Sequence, residues 1–100
     1  MLGIRKLFGS KTDFRSLVQS GAVILDVRTP AEYKTGHIKG SVNIPVDQVG
    51  AHITDLKKKN KPVITCCRSG ARSAMAASVL KTAGIEAFNG GAWNELSNKI

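Results

Sequence analysis

Several familiar classes of protein are excluded by what this chain lacks. Its 100 residues hold no apolar run approaching the about 20 residues that cross a bilayer. Cysteine occurs only twice, as the neighbours Cys66 and Cys67. Adjacent residues do not easily reach disulfide geometry, so neither a disulfide framework nor a C-x-x-C redox pair is present. That usage points to a reducing compartment, the cytoplasm. His37 and His52 stand apart, with no zinc-ligand spacing around them. Aromatic residues number five and are not interleaved with basic ones, so stacking platforms for nucleic acid are missing despite a net charge of +8. Repeats, linkers and low-complexity segments are also absent.

What remains is a small basic chain of ordinary globular composition, 42% hydrophobic with 10 glycines. One domain over residues 1–100 is expected, in monomeric form and without a membrane partner. The positive balance suits attraction of anions. The start, Met1 to Phe8, is basic and apolar but too short and interrupted for a signal peptide. Residues 1–11 are read as an extension or edge strand packing on the domain.

Elements alternate along the rest. Thr12-Asp13 opens a helix with Phe14, Leu17 and Val18 on one stripe, ended by Gly21. Ala22 to Leu25 is an unbroken apolar run, as in a strand covered on both faces. Thr29-Pro30 caps a short helix that Gly36 ends. Ser41 to Pro45 reads as a short strand, and Val46, Val49, Ile53 and Leu56 as a helix finishing in Lys57, Lys58 and Lys59. Val63–Cys66 is a strand, and a helix is expected from about Ser73 to Ala83. Ile85 to Phe88 is a last strand, Asn89-Gly90-Gly91 a turn, and Ala92 to Lys99 a final helix. Strands alternating with helices predict an α/β domain with a mostly parallel sheet and helices on both faces.

The chemistry gathers in one stretch, Pro62 to Ser73. A β-branched run there feeds a short turn carrying a cysteine, two arginines, a serine and a glycine, and the turn opens an Ala-rich helix. Such a turn points backbone N–H groups inward and meets the positive end of a helix, which favours an anion or a thiolate. The residues predict a cysteine enzyme that handles a small anion.

Three motifs resemble the rhodanese-like domain family and cover most of the chain. They are Leu25-Asp26-Val27-Arg28-Thr29-Pro30 with Glu32-Tyr33, Gly36-His37-Ile38-Lys39-Gly40-Ser41-Val42-Asn43-Ile44-Pro45, and Cys67-Arg68-Ser69-Gly70-Ala71-Arg72-Ser73 followed by Asn89-Gly90-Gly91. The resemblance implies a three-layer domain whose central sheet has four or five strands, the count turning on whether Gly3 to Gly9 supplies the family's usual first strand. It also implies a sulfurtransferase that carries sulfane sulfur as a persulfide on Cys67. The six residues from Cys67 to Arg72 match the loop length of the sulfur-transferring branch, one shorter than that of the phosphatase branch.

The implied reaction takes sulfur from a small anionic donor, thiosulfate or a persulfide. It passes the sulfur to cyanide, a small thiol or a protein cysteine, with no metal or other cofactor. Backbone N–H groups of Arg68, Ser69, Gly70, Ala71, Arg72 and Ser73 are expected to stabilise charge on the sulfur. Arg68 and Arg72 are expected to attract the donor. Cys66 offers an alternative, because Cys66 to Arg72 spells C-x5-R, the spacing of phosphotyrosine-type phosphatases and arsenate reductases. Gly70, however, stands three residues after Cys67 rather than Cys66, and Cys66 is assigned to the strand end. A non-catalytic interaction module is the third reading, against which the intact loop cysteine argues. Asp26 and Arg28 are expected to support the loop, with Arg28 pairing to Glu32. His37 is read as a stabiliser and Trp93 as core or pocket rim.

Overall fold

The computed structural model describes residues 12–100. The extension or edge strand expected at residues 1–11 lies outside the described residues.

Four parallel strands form the sheet among these residues, in the order β2-β1-β3-β4. They are β1 (Val23–Asp26), β2 (Val42–Asn43), β3 (Val63–Cys67) and β4 (Ala87–Ala92). The helices are α1 (Phe14–Gln19), α2 (Pro30–Lys34), α3 (Ile53–Lys59), α4 (Ala71–Thr82) and α5 (Trp93–Ser97), with a 3-10 helix at Val46–His52. Every residue of β3 is buried, as an apolar central strand covered on both faces requires.

The two faces of the sheet are packed separately. Leu25, Val27, Val63, Cys67 and Ala87 face Val49, Leu56, Ala76, Ala77 and Leu80 from the 3-10 helix, α3 and α4. Ile24, Ile64 and Cys66 face the other way, against Leu96 of α5 and partly buried Phe14, Leu17 and Val18 of α1. Alternation along each strand assigns the residues to these layers. Leu25, Leu80 and Leu96 are fully buried, and each such side chain contributes about 1.5–3 kcal/mol of transfer free energy.

Several boundaries differ from the sequence reading, β3 running on to Cys67 among them, and three of the differences have a clear physical cause. The helix expected over Val46 to Lys59 begins as a 3-10 segment, in which the three-residue step from Val46 to Val49 suits three residues per turn. Helix α4 starts at Ala71, two residues before the expected Ser73, because Gly70 serves as its N-cap at φ 107. The third is at Asn89-Gly90-Gly91, expected as a turn, which instead continues β4 with a register irregularity opposite β3. A Cβ on Gly90 would lie 2.8 Å from the Thr65 carbonyl oxygen and 2.9 Å from both Ile64 Cγ2 and Leu96 Cδ2. Gly90 therefore lets the last strand approach β3, which is a packing role rather than a turning one.

Candidate active site

In the strand order, the chain leaves β1 for β2 on one side and pairs with β3 on the other. Ligands of open parallel sheets bind where the strand order reverses, outside the carboxyl ends. Asp26 ends β1 and Cys67 ends β3 at that place.

The loop after Cys67 curls back onto its sulfur. Gly70 N–H donates to Cys67 Sγ at 3.0 Å, and Ser73 Oγ lies 3.4 Å from the same atom. Burial alone would push the thiol up. The Ser73 hydroxyl and the N–H groups of Ser73, Gly70 and Ser69 outweigh it, so the Cys67 pKa lies below its ordinary value. The left-handed φ of Gly70 turns its N–H toward the sulfur, a conformation that an L side chain would resist.

A second set of residues holds the loop in shape. Thr65 Oγ1 donates to the Ser73 carbonyl at 2.7 Å. Ser73 Oγ lies 2.6 Å from Asn89 Oδ1, Asn89 Nδ2 donates to the Gly70 carbonyl at 3.2 Å, and Gly91 N–H donates to Asn89 Oδ1 at 3.0 Å. Asn89 therefore ties β4 to both ends of the loop. Sequence reasoning missed this role. Its trace in the sequence is the Asn89-Gly90-Gly91 stretch that follows the loop motif, which by itself reads as a turn.

Cys66 sits on the opposite face. Its β1 register partner is Asp26, and burial, then the Asp26 charge, pushes its thiol up to about 12. Asp26 is itself engaged by Arg28, whose Nη2 lies 2.7 Å from Asp26 Oδ2 and whose Nε lies 2.9 Å from Asp26 Oδ1. The remaining guanidinium donors reach the Glu32 and Gly36 carbonyls at 3.2 and 2.8 Å. The expected pairing of Arg28 with the Glu32 carboxylate is corrected here: Arg28 meets only the Glu32 backbone. The Glu32 carboxylate accepts from Arg72 Nη1 and Nη2 at 2.8 and 3.0 Å, a bidentate pair. Arg72, expected as an open attractor of the donor, thus has its charge matched. Arg68 is exposed and forms no ion pair among the described residues.

A profile of the family described as Rhodanese-like domain matches residues 10–96. The chain belongs to the rhodanese-like domain family. Thiosulfate sulfurtransferase PspE of Escherichia coli K12 is 36% identical over 61 residues, which cover 60% of this chain and 59% of that protein. A solved rhodanese with anions from E. coli aligns at TM-score 0.68 and 31% identity, over 75% of this chain and 91% of that one. The human single-domain sulfurtransferase TSTD1 aligns at TM-score 0.67 and 27% identity, over 92% and 99% of the two chains. The chain spans about half the length of the first curated relatives it matches.

This rhodanese-like site thus brings Cys67, Gly70, Ser73 and Arg72 together with Glu32 and Asn89. Arg28 and Asp26 lie behind it on the Cys66 side. His37 stays in its own helix end, its ring stacked on Tyr33 at 3.7 Å and its Nδ1 2.8 Å from the Tyr33 carbonyl. Trp93 is both packed and at a rim. The Arg28 guanidinium lies 4.8 Å from its ring centroid, and a cleft opens beside it. No described helix is long and apolar enough to cross a membrane.

Proposed function

We propose that this protein is a sulfurtransferase that carries sulfane sulfur on Cys67. The observation that carries the reading is the cradle of N–H groups around that sulfur, with Gly70 N–H at 3.0 Å and the N–H groups of Ser73 and Ser69 beside it. Donors fixed on a sulfur stabilise it as thiolate and then as persulfide, and do so without reorganisation. Cys67 thiolate attacks the outer sulfur of thiosulfate; the new S–S bond forms as the S–S bond of the donor breaks, and sulfite departs with the electron pair. An acceptor thiolate then attacks the outer sulfur, and the pair returns to Sγ. The steps need no metal and no separate acid. Arg68 supplies the unmatched positive charge that draws in the donor.

Cys66 is poorly suited to the phosphatase or arsenate-reductase role, because its thiol is buried, raised to about 12 and directed to the other face. The interaction-module reading gives no account of the donors gathered on Cys67. Two free cysteines, one of them activated, suit a reducing compartment such as the cytoplasm.

The test is intact mass after incubation with thiosulfate, followed by cyanide. One added sulfur that cyanide removes as thiocyanate is the expected result. No added sulfur with thiosulfate or with a small organic persulfide would overturn the reading.

A further inference from the structure

The two ends of the sheet differ in how their charges are matched. Both ion pairs among the described residues, Arg28–Asp26 and Arg72–Glu32, belong to the carboxyl end, where Cys67 sits. The five residues of β3 rise about 16 Å from there to the amino end. Lys57, Lys58, Lys59 and Lys61 stand at that amino end, exposed and without an ion pair among the described residues. The first three occupy the last turn of α3. A Cβ on Gly84 would lie 3.9 Å from Lys57 Nζ, and one on Gly21 3.3 Å from Lys61 Nζ. The two ammonium groups therefore lie over the turns that end α4 and α1. The ends of α1, α3 and α4 each offer about half a negative charge. Together they offset less than half of the charge on the four lysines.

These lysines border a cleft of about 250 Å³ between the α3–β3 and α4–β4 connections. Its floor is apolar, made by buried Leu56 and Ile85 and half-buried Pro62. Lys57, Lys61 and Glu86 stand at its rim. The volume lies below the roughly 300–1,000 Å³ of small-molecule sites and suits a single apolar side chain. Neither an aromatic ring nor an arginine lines the cleft, so nothing stacks a base or grips a phosphate in two places. Glu86 also repels a uniform polyanion, whereas a peptide can set an uncharged residue against it.

We propose that this cleft docks an acidic segment of a partner protein. One apolar side chain of the segment seats on Leu56, Pro62 and Ile85, and the carboxylates flanking it meet Lys57 and Lys61. An apolar anchor inside a polar rim is the ordinary anatomy of such contacts. A partner held at the amino end leaves the Cys67 loop open, so docking does not depend on the sulfur-transfer reading.

The probe is an end-blocked nonapeptide whose central leucine is flanked on each side by two glutamates and then two serines. It is titrated into isotope-labelled protein followed by amide NMR. Saturable shifts should gather at Lys57 to Lys61 and at Gly84 to Glu86, with Gly70 and Ser73 unmoved. Alanine in place of the leucine should weaken binding about threefold to tenfold, since the anchor is lost. Lys57→Gln with Lys61→Gln should weaken it about fivefold, the range of two exposed ion pairs. Lys34→Gln with Lys39→Gln removes the same charge from exposed lysines elsewhere and should weaken it less than about twofold. Absence of saturable shifts at millimolar peptide, shifts centred on Arg68, or equal affinity for the leucine and alanine peptides would overturn the proposal. So would tighter binding at the same amides by single-stranded RNA or by vesicles containing phosphatidylserine, which would make this end a nucleic-acid or membrane surface instead.

Discussion

Cys66 and Cys67 are neighbours in one strand and occupy opposite chemical worlds. Cys67 opens toward α4, where the backbone N–H groups of Gly70 and Ser73 point at its sulfur. Cys66 points toward Ile64 and Leu96, with Asp26 as its register partner. Donors lower one thiol, while burial and a carboxylate raise the other to about 12. The strand's two-residue period makes the separation, because consecutive side chains must leave opposite faces. A sheet end can thus hold two thiols in adjacent positions and make only one of them a nucleophile.

The comparison breaks most sharply under substitution. Cys67→Ser is expected to lose sulfur loading completely, as read by intact mass after thiosulfate. Cys66→Ser should still load, at a cost of about 1–3 kcal/mol in stability for a hydroxyl placed in an apolar layer. Loading lost in Cys66→Ser while the variant remains folded by circular dichroism would assign the nucleophile to the wrong cysteine. Alkylation sharpens the same contrast without mutation. The native protein should take up one equivalent of iodoacetamide, at Cys67, with a pH midpoint below that of a free thiol. Cys66 should react only after unfolding, since its thiol stays protonated up to about pH 12. Peptide mapping before and after denaturant checks both statements.

The Cys66 side has its own point of failure. Arg28 and Asp26 are buried, at 4% and 0% side-chain exposure. Arg28→Met leaves the Asp26 carboxylate without its guanidinium, and losing one partner of a buried pair costs about 3–5 kcal/mol. Urea unfolding should register that loss. On the Cys67 side the corresponding change is smaller. Asn89→Ala removes hydrogen bonds to Ser73, Gly70 and Gly91, a loss of about 1–3 kcal/mol. Its distinguishing sign is a Cys67 alkylation midpoint moved to higher pH, because Ser73 and Gly70 are no longer held at the sulfur. An unmoved midpoint would confine Asn89 to stability.

Much of this division is legible in the residues themselves. The apolar runs before Asp26 and Cys67 mark the two central strands, and the Gly70 register marks which cysteine the loop serves. The last strand was harder to read. Glycine in Asn89-Gly90-Gly91 looks like a turn, yet Gly90 is there because Thr65, Ile64 and Leu96 leave no room for a Cβ. Close approach and tight turning ask for the same residue, and only packing separates them. Glu32 was also hidden. Its capping box with Thr29 is a local signal, with Thr29 Oγ1 accepting from Glu32 N–H and Thr29 N–H donating back to Glu32 Oε1. Its second bond, to Arg72, spans 40 residues. No periodicity reports a partner that the fold alone brings near.

That second bond gives the smallest and most pH-specific effect. Arg72, and after it the Thr29 N–H, holds the Glu32 carboxyl down at about 2. A lowered acid stabilises the folded state fully above its unfolded pKa of about 4.3 and loses that contribution as pH falls through the folded value. The Glu32–Arg72 contribution should therefore be complete at neutral pH and fade between about pH 4 and pH 2. Both side chains remain roughly a third exposed, at 34% and 28%, so water screens the pair and its worth is below about 1 kcal/mol. Unfolding free energies of the wild type and Glu32→Gln, measured across this range, isolate it, because the other carboxyls titrate alike in both. The gap between the two curves should close toward pH 2. A gap that stays constant would mean that Glu32 matters as the cap of α2, and that Arg72 is held near the Cys67 loop by something other than this charge.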